Sequence, residues 1–124
     1  MENSAKLTIE ELDLNSKWRL GIYDIIYDRE GSICLNGLWS SNNKRTMNEI
    51  ARKQGGKEGI VGTYKVSWIQ NVAPFCICGT LEIEEKKSIY TFKWTKDDDN
   101  NEPSYIGRGI QMNNQLIVFY LEQN

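Results

Sequence analysis

No histidine occurs anywhere in the chain. That removes the commonest general base, the serine and cysteine triads that rely on it, and the commonest zinc ligand. Carboxylates are the remaining acid–base groups, and they are densest in "EIEEKK" (82–87) and "KDDDNNEP" (96–103), which together hold seven of the 17. Charge runs in turn-forming segments stay solvated, and the acidic run from Asp97 to Glu102 lacks the order and the glycine of a calcium-binding EF-hand loop. Asp24 differs, because Ile22 and Ile26 share its strand face. It reads either as a residue near a rim or as a buried carboxylate with a perturbed pKa. Cys76 and Cys78 are two apart on one segment, whereas thiolate metal sites use four ligands, usually with two residues between paired cysteines. No metal and no cofactor is expected, and small apolar packing accounts for the cysteines.

Aromatic residues carry the strongest suggestion of a site. The chain has four Trp, six Tyr and three Phe, and Tyr23, Tyr27, Tyr64, Trp68, Tyr90 and Trp94 recur at spacings that turn them toward one interior. Two readings stand side by side. In one, these side chains fill a core. In the other, they line a cup in which hydroxyl and indole N–H groups orient a ligand against apolar walls. Arg108 lies between Gly107 and Gly109 with Ile106 and Ile110 on its own face, so it either points inward toward an anionic group or faces water. The candidate ligand-binding set is therefore Tyr23, Tyr64, Trp68, Tyr90, Trp94 and Arg108.

These residues need strands to position them, and a repeat supplies the strands. Gly21, Tyr23, Ile25 and Tyr27 are echoed about forty residues later by Gly62, Tyr64, Val66 and Trp68, and Cys34, Gly37 and Trp39 by Cys76, Gly79 and Leu81. A period of two marks a strand face. Turn residues, "DREG" and "QNVAP", separate the two halves of each copy, so each copy is read as a hairpin. "SIYTFKWTK" alternates cleanly, and Asn113-Asn114 reads as a tight turn joining "YIGRGIQM" to "QLIVFYLE". "TMNEIARKQGG" (46–56) carries a capping box from Thr46 to Glu49, apolar residues at helical spacing and a stop at Gly55, which predicts a short helix or a loop near 46–54; the repeat, taken by itself, argues for a strand there. "LTIEELDL" (7–14) is consistent with a strand or a single helical turn. About seven to eight antiparallel strands without βαβ spacing, with glycines inside them, predict an all-β fold. The form expected is one small up-and-down β-barrel spanning residues 1–124.

The strings "GTYKV", "CGTLEI", the triple Tyr90, Phe92 and Trp94, "YIGRGIQ" and "NQLIVFYLE" resemble small bacterial barrels of the avidin-like and lipocalin-like kind, including fibronectin-binding-like domains. The likeness runs over roughly 60 to 122, with a weaker echo over 18 to 40. "CLNGLWSSN" is similar to the first strand of avidin, where Cys, Leu, Gly, Trp and Asn open the barrel. Asn42 stands one residue beyond its place in that pattern, and the rest of the biotin-site pattern is not matched. The resemblance implies a barrel and leaves its activity open, since one barrel hosts many functions.

Lys and Arg number 15 against 17 Asp and Glu, a formal charge of −2, which gives no electrostatic drive toward nucleic acid or anionic lipid. No apolar run approaches the roughly 20 residues of a membrane helix, and the first residues have no signal-like apolar stretch. A cytoplasmic location is expected, or a secreted one if a signal peptide has been removed. Three cysteines, an odd number, fit reduced thiols, although Cys34 and Cys76 on neighbouring strands would form a disulfide in an oxidising compartment. The function expected is that of a non-enzymatic barrel binding a small molecule or a protein partner. The alternatives are a small isomerase- or cyclase-type enzyme using Tyr and carboxylate groups, and a lectin stacking sugars on exposed Trp18 or Trp39.

Overall fold

The computed structural model describes residues 18–41, 44–56, 58–70, 73–97 and 102–122. The segment 7–14, most of the acidic run from 97 to 102 and Asn42 lie outside them. Eight strands run in order: β1 (Trp18–Tyr27), β2 (Ile33–Ser41), β3 (Lys44–Gly55), β4 (Gly62–Ile69), β5 (Cys76–Lys86), β6 (Ile89–Lys96), β7 (Tyr105–Met112) and β8 (Gln115–Glu122). Each pairs antiparallel with the next, and β8 returns to pair with β1, closing the barrel. Closure leaves no open sheet edge. The fold expected from the alternating pattern is therefore the fold observed, compatible with an avidin-like or lipocalin-like architecture.

Turn chemistry sets two of the registers. Lys87 and Ser88, both with positive φ, join β5 to β6, as the two central residues of a type I′ hairpin turn must. Asn113, with φ of 56°, begins the turn from β7 to β8.

The segment expected to be a helix or loop is strand β3. Its inward residues are Met47, Glu49, Ala51 and Lys53, alternating with outward Asn48, Arg52 and Gln54. The period is two, but a buried carboxylate in the middle of the inner face hides it from an apolar-pattern reading. Pairing with both β2 and β4 supplies hydrogen bonds that outweigh the local helix signals.

The two segments that echo one another in sequence form the hairpins β1–β2 and β4–β5, which differ in register. Tyr23 and Tyr64 both point inward and are buried. Tyr23 sits opposite Gly37 in β1–β2, whereas Tyr64 sits opposite Leu81 in β4–β5, with Val66 opposite Gly79. The second hairpin is thus slid by one inward-facing position. In both, the glycine makes room for a ring. A Cβ on Gly37 would lie 2.5 Å from Tyr23 Cε1, and one on Gly79 would lie 3.0 Å from Trp68 Cζ3 and 2.5 Å from the Thr95 carbonyl oxygen.

Cys34 lies on β2 and Cys76 on β5, which are not neighbours, and all three cysteines are free thiols. A disulfide between Cys34 and Cys76 has no geometric basis here, because strands three places apart around the barrel separate the two sulfurs.

Candidate functional site

The interior is organised around one carboxylate. Glu49, on β3, is fully buried. Its Oε2 accepts hydrogen bonds from the Tyr23 hydroxyl at 2.5 Å and from Trp94 Nε1 at 3.1 Å, and its Oε1 accepts one from Trp68 Nε1 at 2.7 Å. The donors come from β1, β6 and β4, so one side chain ties four strands together across the barrel. Buried indole N–H and phenol O–H groups require acceptors, and a carboxylate is the only side chain with enough lone pairs to serve all three. Burial pushes the Glu49 carboxyl up to about 7, opposed by the hydrogen bonds from Tyr23, Trp94 and Trp68. Burial, followed by the nearby Glu49 charge, holds the Tyr23 phenol well above its ordinary value.

Nearer the end of the barrel where β1 begins, Arg19 is also buried. Its guanidinium lies 5.2 Å from the ring centres of both Trp39 and Tyr105, close enough for cation–π attraction to each. Tyr120 packs edge-on to Trp39 and tilted against Trp94, with ring centres 6.0 Å and 4.7 Å away. Phe92 stacks between Tyr23 and Trp94. The far end of the interior is closed by Ile25, Ile33, Leu35, Ile60, Tyr64 and Ile83, all buried, with the Tyr64 hydroxyl donating to the Ile60 carbonyl at 2.6 Å.

Of the six residues expected to bind a ligand, the interior brings together Tyr23, Trp68 and Trp94 on Glu49, and places Tyr64 in the apolar end. Tyr90 is half-buried on the same inner face at its strand's beginning, its hydroxyl 3.4 Å from Gln111 Oε1. Arg108 faces outward and is exposed, because it pairs with Thr91 and Phe119 on the outer parity of β6 and β8. Tyr27 shares the inward parity of Tyr23 but ends its strand and is 58% exposed. Asp24 is on the outer wall, accepting a hydrogen bond from Gln115 Nε2 at 2.9 Å. Trp39, considered above as a sugar platform, is buried against Arg19, and the side chain of Trp18 is outside the described set. Glu49 and Arg19 escaped the sequence reading. Among the described residues no group of His, Cys, Asp and Glu has the arrangement of a metal site.

The outer wall divides into a half that is mainly polar, apart from Ile69 and Ile89, and a half that is mainly apolar. Outward residues of β4, β5 and β6 include Lys65, Glu82, Glu84 and Lys93. Those of β7, β8, β1 and β2 include Ile106, Ile110, Phe119, Leu20, Ile22 and Leu38, each between 37% and 51% exposed. Strand β8 is apolar on both faces, with Leu116, Val118 and Tyr120 inward and Ile117, Phe119 and Leu121 outward. A near-continuous apolar strand is the pattern of a sheet covered on both sides. Two open clefts touch this half of the wall, the first reaching across to Thr91 and Lys93 of β6. One, of about 400 Å³, is lined by Thr91, Ile106, Arg108, Phe119 and Leu121; the other, of about 330 Å³, by Leu20, Ile22, Leu38 and Ile117.

No family model, curated protein or solved structure matches this chain.

Proposed function

We propose that the protein is a non-enzymatic binding barrel, avidin-like or lipocalin-like in construction, that works by docking a protein partner on the wall formed by β7, β8, β1 and β2. The observation that carries this reading is the two-sided apolar character of β8 and its neighbours on a barrel whose interior is packed with aromatic rings. An eight-stranded barrel is just wide enough to be closed by its own side chains, and here Tyr23, Phe92, Trp94 and Trp68 occupy the middle of it. A soluble monomer rarely leaves an apolar patch beyond a few hundred Å² open to water. Glu49 has the raised pKa of an acid–base catalyst, but all its hydrogen bonds are to buried side chains of the barrel itself, which supports a structural role. The lectin reading loses Trp39, which lies beneath the surface.

Site-specific photocrosslinking in the cells that produce the protein tests this reading. A photoreactive residue at Phe119 is expected to give protein adducts, while the same residue at Glu82, on the charged half of the wall, gives none. No adduct from Phe119, or equal labelling from both positions, contradicts it.

A further inference from the structure

We propose that the occupant of this wall is a second copy of the chain, packed face to face about a two-fold axis that passes over Ile117. The inference rests on the reading of the β7–β8–β1–β2 wall as a binding surface, and adds which molecule covers it.

Size is the first argument. Apart from Tyr27 at its strand end, the exposed apolar side chains of these four strands are each 37–52% accessible, and together they present on the order of 800 Å², the area one partner gives to a standard protein interface. The fully buried centre of a homodimer interface is correspondingly apolar.

Symmetry of charge is the second argument, and it selects a copy of the same chain over an unrelated partner. Across β8 the registers place Arg108 beside Phe119, Ile110 beside Ile117 and Ile22, and Asp24 beside Gln115. Arg108 therefore lies one strand to one side of Ile117 and two residues along. Asp24 lies one strand to the other side and two residues the opposite way. Ile117 is the midpoint of the line joining a cation to an anion, both exposed on a largely apolar surface.

An isologous interface requires that if residue i meets residue j, then j meets i. A two-fold axis in the plane of the interface, perpendicular to that line at Ile117, meets the requirement. It sets Ile117 against Ile117, Arg108 of each copy against Asp24 of the other, and the apolar residues of β7, β8 and β1 against one another. With strands about 4.8 Å apart and rising about 3.4 Å per residue, this axis makes the strands of the two copies cross at about 70°. Steep crossing of that kind belongs to orthogonal sheet packing. The Gln115 amide already holds the Asp24 carboxylate in place from its own chain, so the anion is oriented before the partner arrives.

Sedimentation equilibrium of the full chain, with charge reversals, tests the proposal. The wild type is expected to run as a dimer of 14.4 kDa chains. Arg108→Asp sets carboxylate against carboxylate at two places and Asp24→Arg sets guanidinium against guanidinium, so each is expected to raise the dimer Kd at least about tenfold. The double variant carrying both reversals restores opposite charges, and its Kd is expected to return to within about threefold of the wild type. Phe119→Glu is expected to give a monomer with unchanged circular dichroism. A wild type that remains monomeric at roughly 100 μM overturns the proposal, and so does a dimer indifferent to the single reversals or one not rescued by the double. A monomer that still forms adducts with another protein through position 119 overturns only the identity of the occupant. Absence of any adduct overturns the reading of the wall itself.

Discussion

The hairpins β1–β2 and β4–β5 bury the same kinds of residue and expose different ones. Inward, both carry a tyrosine, an aliphatic residue and a strand glycine that admits an aromatic ring. Outward, the first presents Leu20, Ile22, Ile26 and Leu38, where the second presents Thr63, Lys65, Ser67 and Glu82. Closing a barrel constrains only the inner face, since hydrogen bonding between strands is indifferent to what points away. The shared inward half therefore belongs to the fold. The half that differs has a separate cause, and contact with another protein surface is the cause proposed here.

If the two interiors are equivalent, truncation should be costly in both hairpins. Trp39→Ala in the first and Trp68→Ala in the second are each expected to lose about 3–5 kcal/mol in urea melts followed by tryptophan fluorescence. A large loss in one and less than about 1 kcal/mol in the other would break the equivalence and mark a hydrated pocket at the insensitive site.

Stability should also depend on the protonation of Glu49. Its folded-state pKa, about 7, is above the ordinary 4.5, so the folded protein binds this proton more tightly than the unfolded chain does. The resulting stabilisation is complete below pH 4.5, declines as pH rises toward 7 and is absent above it, a difference on the order of 3 kcal/mol. Melts of Glu49→Gln against the wild type across that range should show the slope vanish in the variant; parallel profiles would contradict a raised pKa.

A smaller effect compares the two glycines. Gly37→Ala and Gly79→Ala each push a methyl against a ring and are expected to cost about 1–3 kcal/mol in thermal or urea melts. Smaller again are the outward positions. Lys65→Ala is expected to change the stability of the dilute protein by no more than about 0.5 kcal/mol and to leave sedimentation unaltered. A shift in sedimentation on that change would move the interface to the charged half of the wall.

How much of this was legible in the sequence varies with the distance over which each feature is encoded. Strands β4, β6 and β8 announce themselves by local alternation or by continuous apolar character, and the turn at Asn113 by residue type. Strand β3 does not, because Thr46, Glu49 and Gly55 sit where helix caps would, and Glu49 breaks the apolar alternation of the inner face. The carboxylate's role was hidden for a related reason: its donors lie 19, 26 and 45 residues away, and nothing local ties them together. Arg108 shows the limit of parity reasoning, since a strand with glycines on one face and isoleucines beside the arginine on the other gives no inside or outside until its partners are known. The apolar outer wall did leave a trace. Ile22 and Ile26 alternate with Tyr23 and Ile25, so both faces of β1 are apolar, which a barrel exposed to water on its outside does not need.

A docking wall formed by β7, β8, β1 and β2 must be covered in solution. Ile22, Ile106 and Ile110 on that wall are 37%, 41% and 48% exposed in the single chain, and Ile69 on β4, on the other side of the barrel, is 45% exposed. Labelling the isoleucine methyl groups and adding a soluble paramagnetic relaxation agent compares all four in one NMR sample. The prediction is that Ile69 broadens strongly while Ile22, Ile106 and Ile110 are protected at concentrations where the protein is associated; equal broadening of all four would contradict it.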